Sequence, residues 1–99
     1  MPLYEIKYIS VSWKSAQLLY SKLDTVFKGT ERSEECWKLE LSLNQHYWHK
    51  VNAPDFDSLI KVVYLFLQDG DFVSIRHSDK EYMFDKASLQ KIFQPKFTI

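Results

Sequence analysis

Two glycines, three prolines and one cysteine in 99 residues remove several chemistries at once. With glycine only at positions 29 and 70, neither G-x-G-x-x-G nor G-x-x-x-x-G-K occurs. Both loops need several glycines so that backbone N–H groups can close on a phosphate, so nucleotide binding by either is excluded. Cys36 has no second cysteine to pair with. No apolar run approaches the roughly 20 residues that span a bilayer, and no charged-then-apolar leader opens the chain, so the expectation is a reduced, cytoplasmic setting with no membrane role.

Net charge is also missing. Thirteen basic residues meet thirteen acidic ones, and the balance holds in both halves: seven against six over residues 1–50, six against seven over residues 51–99. A protein that grips nucleic acid without sequence preference needs a surplus of Lys and Arg to displace counterions, so a nucleic-acid role is disfavoured. Copies that carry no net charge repel one another little, which favours a stable protein partner or a homodimer.

Metal and thiol chemistry find little support. The soft and imidazole ligands are His46, His49, His77 and Cys36, with no H-E-x-x-H, no paired cysteines and no Asp-rich calcium loop. On a strand His46 and His49 point to opposite faces. No metal and no cofactor is therefore expected. Cys36 follows Glu34 and Glu35, whose charge disfavours a thiolate, and reads as a small half-buried side chain. The carboxylate pairs Asp55/Asp57 and Asp69/Asp71 flank a helix, where caps and turns account for them.

What the chain does have is apolar pattern and aromatic mass. Sixteen residues are Phe, Tyr or Trp. The stretch Asp55–Gly70 places Phe56, Leu59, Ile60, Val63, Phe66 and Leu67 on one helical face, with Val62 and Leu65 off it. A helix this apolar must be covered on more than one side. Before it, Leu3–Ile9 alternates as a strand, and Lys14–Lys28 carries the helical stripe Ala16, Leu19, Tyr20, Leu23, Val26, Phe27, with Ser12 or Ser15 as N-cap and Gly29 as C-cap. Thr30–Glu35 reads as a loop. Cys36–Leu43 alternates cleanly, Trp37, Leu39, Leu41 and Leu43 against Lys38, Glu40 and Ser42, and is expected to be a strand. A three-residue turn at Asn44–His46, or no turn at all, keeps Tyr47, His49 and Val51 in phase with those leucines; it buries Tyr47 and Val51 and sends Trp48 and Lys50 outward. After the long helix come a hairpin, Phe72–Arg76 with Glu81–Phe84, and a short helix capped by Asp85 and stopped by Pro95.

The order that results is one α+β domain over residues 1–99: an antiparallel sheet with helices on one face, ferredoxin-like in the split βαβ sense (βαββαβ), with an added C-terminal strand and short helix. On that layout Trp48 stands on the outer face beside Lys50, Lys38 and Glu40, either as an aromatic anchor in a rim of mixed charge or as a side chain that the C-terminal helix covers. The function expected is non-enzymatic: a small protein-binding module of the inhibitor, immunity-protein, antitoxin or phage-antagonist kind that occludes a partner protein. Two alternatives come from other classes. One is a nucleic-acid or small-ligand module on an open sheet face, although the glycine-aromatic RNP1 pattern is absent. The other is a small hydrolase or nuclease using His77 or His49, which requires a pocket where a His and a carboxylate converge.

Overall fold

The computed structural model describes residues 2–9, 13–27, 34–43 and 47–97. Its elements run β1 (Leu3–Ile9), α1 (Trp13–Phe27), α2 (Glu34–Leu43), β2 (His49–Asn52), α3 (Phe56–Phe66), β3 (Phe72–His77), β4 (Lys80–Asp85) and α4 (Lys86–Phe97). The four strands form one antiparallel sheet in the order β2-β1-β3-β4. The α+β class with an antiparallel sheet is as the sequence implied.

The strand expected at Cys36–Leu43 is instead α2. Its alternation misled because Leu39 and Leu43, which a strand would have buried, are 62% and 78% exposed. Trp37 and Leu41, four residues apart, are the buried pair, which is helical spacing. The segment EECWKLELSL contains no β-branched residue and is rich in Glu and Leu, so local preference agrees with the helix. The helix takes in Glu34 and Glu35 as well, shortening the expected loop, and it leaves Cys36 exposed rather than half-buried.

Losing that strand removes the hairpin on which the split βαβ order depended. β1 and β2 are direct antiparallel neighbours, Glu5 opposite Lys50 and Tyr4 opposite Val51, where a split βαβ unit has its first two strands parallel with another between them. Ser12, Gly29 and the Asn44–His46 turn lie outside the described residues.

α3 forms where its apolar spacing put it, with Asp55 as N-cap, its side chain accepting from the Ser58 N–H at 2.7 Å. It stops at Phe66, earlier than Gly70. Leu67 closes it in extended conformation, its N–H bonded to the Val63 carbonyl at 2.8 Å, while Gly70 (φ +88°) turns the chain into β3. Leu59, Ile60, Val63 and Leu67 are buried, Phe66 is half-buried and Leu65 is exposed. The helix is flanked by α1 and α4 as well as by the sheet, which is the multiple cover its composition demanded. Asp85 caps α4, accepting from the Ser88 N–H at 2.7 Å, and that helix runs on past Pro95 to Phe97.

One core fills the space between sheet and helices. Tyr4, Ile6 and Tyr8 of β1, Val51 of β2, and Val73 and Ile75 of β3 meet Leu19, Tyr20 and Leu23 of α1, Trp37 and Leu41 of α2, the buried α3 residues and Leu89 of α4. The opposite face of the sheet, carrying Glu5, Lys7, Lys50, Ser74, Arg76 and Met83, is covered by no described helix.

Candidate functional site

Two polar constellations stand out, one inside the helical layer and one on the open sheet face. The inner one centres on His49, whose ring is fully buried. Its Nε2 lies 2.7 Å from Asp24 Oδ1, and because a carboxylate only accepts, Nε2 carries the proton. Trp37 Nε1–H donates to the other Asp24 oxygen at 3.0 Å. Tyr20 stacks on the imidazole at 4.6 Å with 13° between planes, and Trp37 and Tyr47 meet it at 5.3 and 6.0 Å. Asp24 thus ties α1 to α2 and to β2 through one side chain, 22% exposed. His49 Nδ1 is buried without a protein partner.

A His–carboxylate pair is the geometry of general acid–base chemistry, but this ring lies beneath Tyr20 and Trp37 with no surface of its own, so no substrate reaches it. Its role in the fold is to fix three elements. His77, the other histidine considered for catalysis, is occupied differently: its Nδ1 lies 2.9 Å from the Leu3 carbonyl, which only accepts, and its ring packs on Tyr4 at 4.5 Å. A groove of about 490 Å³ between α1 and α3 is lined by Val26, Phe27, Pro54, Ser58, Lys61 and Val62, with neither a His nor a carboxylate among them.

Two tyrosines brace the same interior. The Tyr8 N–H donates to the Tyr20 hydroxyl oxygen at 2.8 Å, and the Tyr8 hydroxyl donates to Asp71 Oδ2 at 2.8 Å while accepting from the Gln68 N–H at 3.3 Å. Burial pushes the Tyr8 phenol up to about 12, with the Asp71 carboxylate adding to the rise and the Gln68 N–H opposing it. Burial raises Tyr20 as well, against the hydrogen bond from Tyr8.

The second constellation is on the open face. Trp48, immediately before β2, has two cations over its ring, Arg76 with its guanidinium carbon 4.1 Å from the centroid and Lys7 with Nζ at 4.8 Å. Arg76 is itself held by a two-pronged bond to Glu5, Nε to Oε1 at 3.1 Å and Nη2 to Oε2 at 2.9 Å, which raises its pKa further above its ordinary value. Alternation along the strands puts Leu3, Ile9, Phe72 and Met83 on this face, 39%, 37%, 41% and 62% exposed. Lys7, Lys50 and Arg76 are balanced there by Glu5, Glu81 and Asp85.

Of the four residues the sequence assigned to the binding patch, Trp48 and Lys50 lie on this face and Lys38 and Glu40 do not. Those two ride on α2, where Lys38 Nζ hangs 6.0 Å from the Trp37 ring centroid. Only a strand over Cys36–Leu43 would bring them beside Trp48, and that segment is a helix. The residues that do surround Trp48, namely Glu5, Lys7 and Arg76, were legible as outward positions of β1 and β3, but pairing of β1 with both β2 and β3 was needed to bring them together. Asp24 carried no signal beyond its place on the polar side of a helical stripe.

Among the described residues no group of three His, Cys, Asp or Glu side chains is arranged to hold a metal ion, and no helix is long and apolar enough to cross a membrane. Comparison of the chain with protein-family models, curated proteins and solved structures finds no match.

Proposed function

We propose that this chain is a non-enzymatic protein-binding module of the inhibitor, immunity-protein or antitoxin kind, and that its working surface is the open face of the sheet. The observation that carries the reading is Trp48, a half-buried aromatic side chain on a face that no described helix covers, its orientation fixed by Lys7 and by an Arg76 that Glu5 holds in turn. A large ring already ordered before binding loses little freedom on contact, which is why Trp and Arg concentrate binding energy in protein interfaces. Leu3, Ile9, Phe72 and Met83 supply apolar area around it. Exposed leucines on the helical side, Leu18, Leu39, Leu43 and Leu65, are spread over three helices, the scatter expected of any soluble surface.

Charge separates this reading from nucleic-acid binding. Three cations and three anions share the face, so a phosphate backbone would meet as much repulsion as attraction. A protein partner with its own mixed rim has no such difficulty.

The test is retention of a specific protein from the native host on the immobilised wild-type chain and on Trp48→Ala. Loss of an interface anchor costs at least about 2 kcal/mol, or some thirtyfold in affinity, so the variant should release the partner while its melting temperature stays close to wild type. Undiminished retention by Trp48→Ala would remove the sheet face from the account.

A further inference from the structure

The pattern on the open face is complementary to itself. In the registry of the sheet one row crosses all four strands as Lys50, Glu5, Arg76, Glu81, alternating positive and negative from edge to edge. The next row, one step along β1, is Trp48, Lys7, Ser74, Met83, and the one beyond it holds Ile9, Phe72 and Asp85. Consider a two-fold axis parallel to the strands, between the faces and midway between β1 and β3. It lays each strand over its mirror position in the order: β2 on β4 of the second copy and β1 on β3. Every row then meets itself reversed. Lys50 faces Glu81, Glu5 faces Arg76, Trp48 faces Met83, and Ile9 faces Phe72.

We infer that the protein this face is shaped to bind is a second copy of the same chain, packed sheet to sheet about that axis. The inference rests on the reading of the open face as a protein-binding surface and specifies its occupant. Each isologous contact occurs twice, as closed two-fold symmetry requires. The alternative axis, perpendicular to the strands, sets each strand over itself and either meets every charge of that row with its like, Lys50 on Lys50 and Glu5 on Glu5, or moves the row off itself, so the complementarity selects one of the two arrangements. Stacked sheets lie about 10 Å apart and cross at about 30°, which displaces a residue 10 Å from the axis by only about 5 Å, within reach of Lys, Arg and Glu side chains. Trp48 against Met83 joins an aromatic ring to a polarizable thioether, a favourable pair.

Size sets the strength. Four strands about 4.8 Å apart and up to seven residues long span roughly 19 by 23 Å, a footprint below the roughly 800 Å² per partner of standard interfaces. The dimer should therefore form in the micromolar range rather than the nanomolar.

The experiment is sedimentation velocity on the full chain from about 1 to 500 μM, alone and as charge-reversed variants, with melting curves confirming that each folds. Lys50→Glu alone sets two glutamates against each other at both symmetric contacts, and Glu81→Lys alone sets two lysines together. Each should weaken self-association at least tenfold. Mixed in equal amounts the two variants should associate again, because Glu at 50 of one then faces Lys at 81 of the other, and Glu81 of the first still faces Lys50 of the second. Should either variant melt without cooperativity, Met83→Arg, which sets a third cation against a Trp48 that already carries Lys7 and Arg76, takes its place and should likewise leave monomers. A wild-type chain that stays monomeric to 500 μM overturns the dimer. If that monomer still retains a host protein through Trp48, the face binds a different protein and only the self-pairing fails; if it does not, the protein-binding reading fails with it. A dimer indifferent to all three variants uses another surface and also overturns the inference.

Discussion

Asp24→Ala is the sharpest test of how the helical layer is held. The side chain accepts two hydrogen bonds from fully buried rings, His49 at 2.7 Å and Trp37 at 3.0 Å. Removing it leaves the Trp37 N–H without an acceptor and His49 with neither nitrogen paired, since Nδ1 has no protein partner already. An unsatisfied buried donor costs about 1–3 kcal/mol, so two such groups give about 2–6 kcal/mol. Asp24 is 22% exposed, and water entering the vacated space should recover part of this. We therefore expect a loss of about 2–4 kcal/mol, or roughly 10–25 °C in melting temperature for a domain of this size. The assay is thermal melting by far-ultraviolet circular dichroism, backed by urea unfolding with an unchanged slope. Asp24→Asn keeps an acceptor for Trp37 and should lose less than half as much. A shift below about 0.5 kcal/mol for the alanine variant would show that α1, α2 and β2 are not joined through this carboxylate.

Three further outcomes follow from the same structure. Leu41→Asp and Val63→Asp should each abolish cooperative unfolding, since both positions are buried in the common core, whereas Leu39→Asp should melt within a few degrees of wild type; equal damage at 39 and 41 would restore the strand in place of α2. Cys36→Ser, on an exposed helical surface, should alter stability by no more than about 0.5 kcal/mol and leave binding intact; loss of binding with an unchanged melting curve would point to thiol chemistry instead. Stability should fall in alkali, because the folded-state pKa of Tyr8, raised by burial to about 12, lies above its ordinary value of 10.0: the contribution is complete below the ordinary value and lost as pH rises through the folded one, so urea midpoints that stay flat from pH 9 to pH 12 would contradict the buried phenols. At the acid end the sign reverses, since Asp55 is lowered by the Ser58 N–H it caps and Asp85 by its hydrogen bonds from Ser88, and their contribution disappears as pH falls through those depressed values.

How far the sequence reached differed by element. Five features were legible because local pattern and burial agreed: β1, α1, α3, the β3–β4 hairpin, and the Asp85 cap of α4. The segment Glu34–Leu43 was not, because its period-two alternation implies a strand while its helix-forming composition implies a helix, and the composition prevails. The hairpin, the split βαβ order and the placement of Lys38 and Glu40 beside Trp48 all require that segment to be a strand. The outward position of Trp48 survived the error, since it depends on Tyr47, His49 and Val51 being buried, which they are. The cations and the carboxylate around Trp48 come from strands far apart in the chain, so their company is a product of strand order, which periodicity does not encode. The Asp24 link to His49 is of the same kind, joining residues 25 apart whose individual surroundings in sequence are unremarkable.

The central claim is that partners meet the open sheet face and not the helical side, and hydroxyl-radical footprinting of the chain, free and in complex, tests it residue by residue. Both sides carry oxidisable groups at the surface: half-buried Trp48 with exposed Phe72 and Met83 on the sheet, and exposed Leu39, Leu43 and Leu65 on the helices. The account predicts that binding protects Trp48, Phe72 and Met83 and leaves the three leucines reacting as in the free chain. Protection of Leu39, Leu43 and Leu65 with Trp48 and Met83 unchanged would place the working surface on the helices and contradict it.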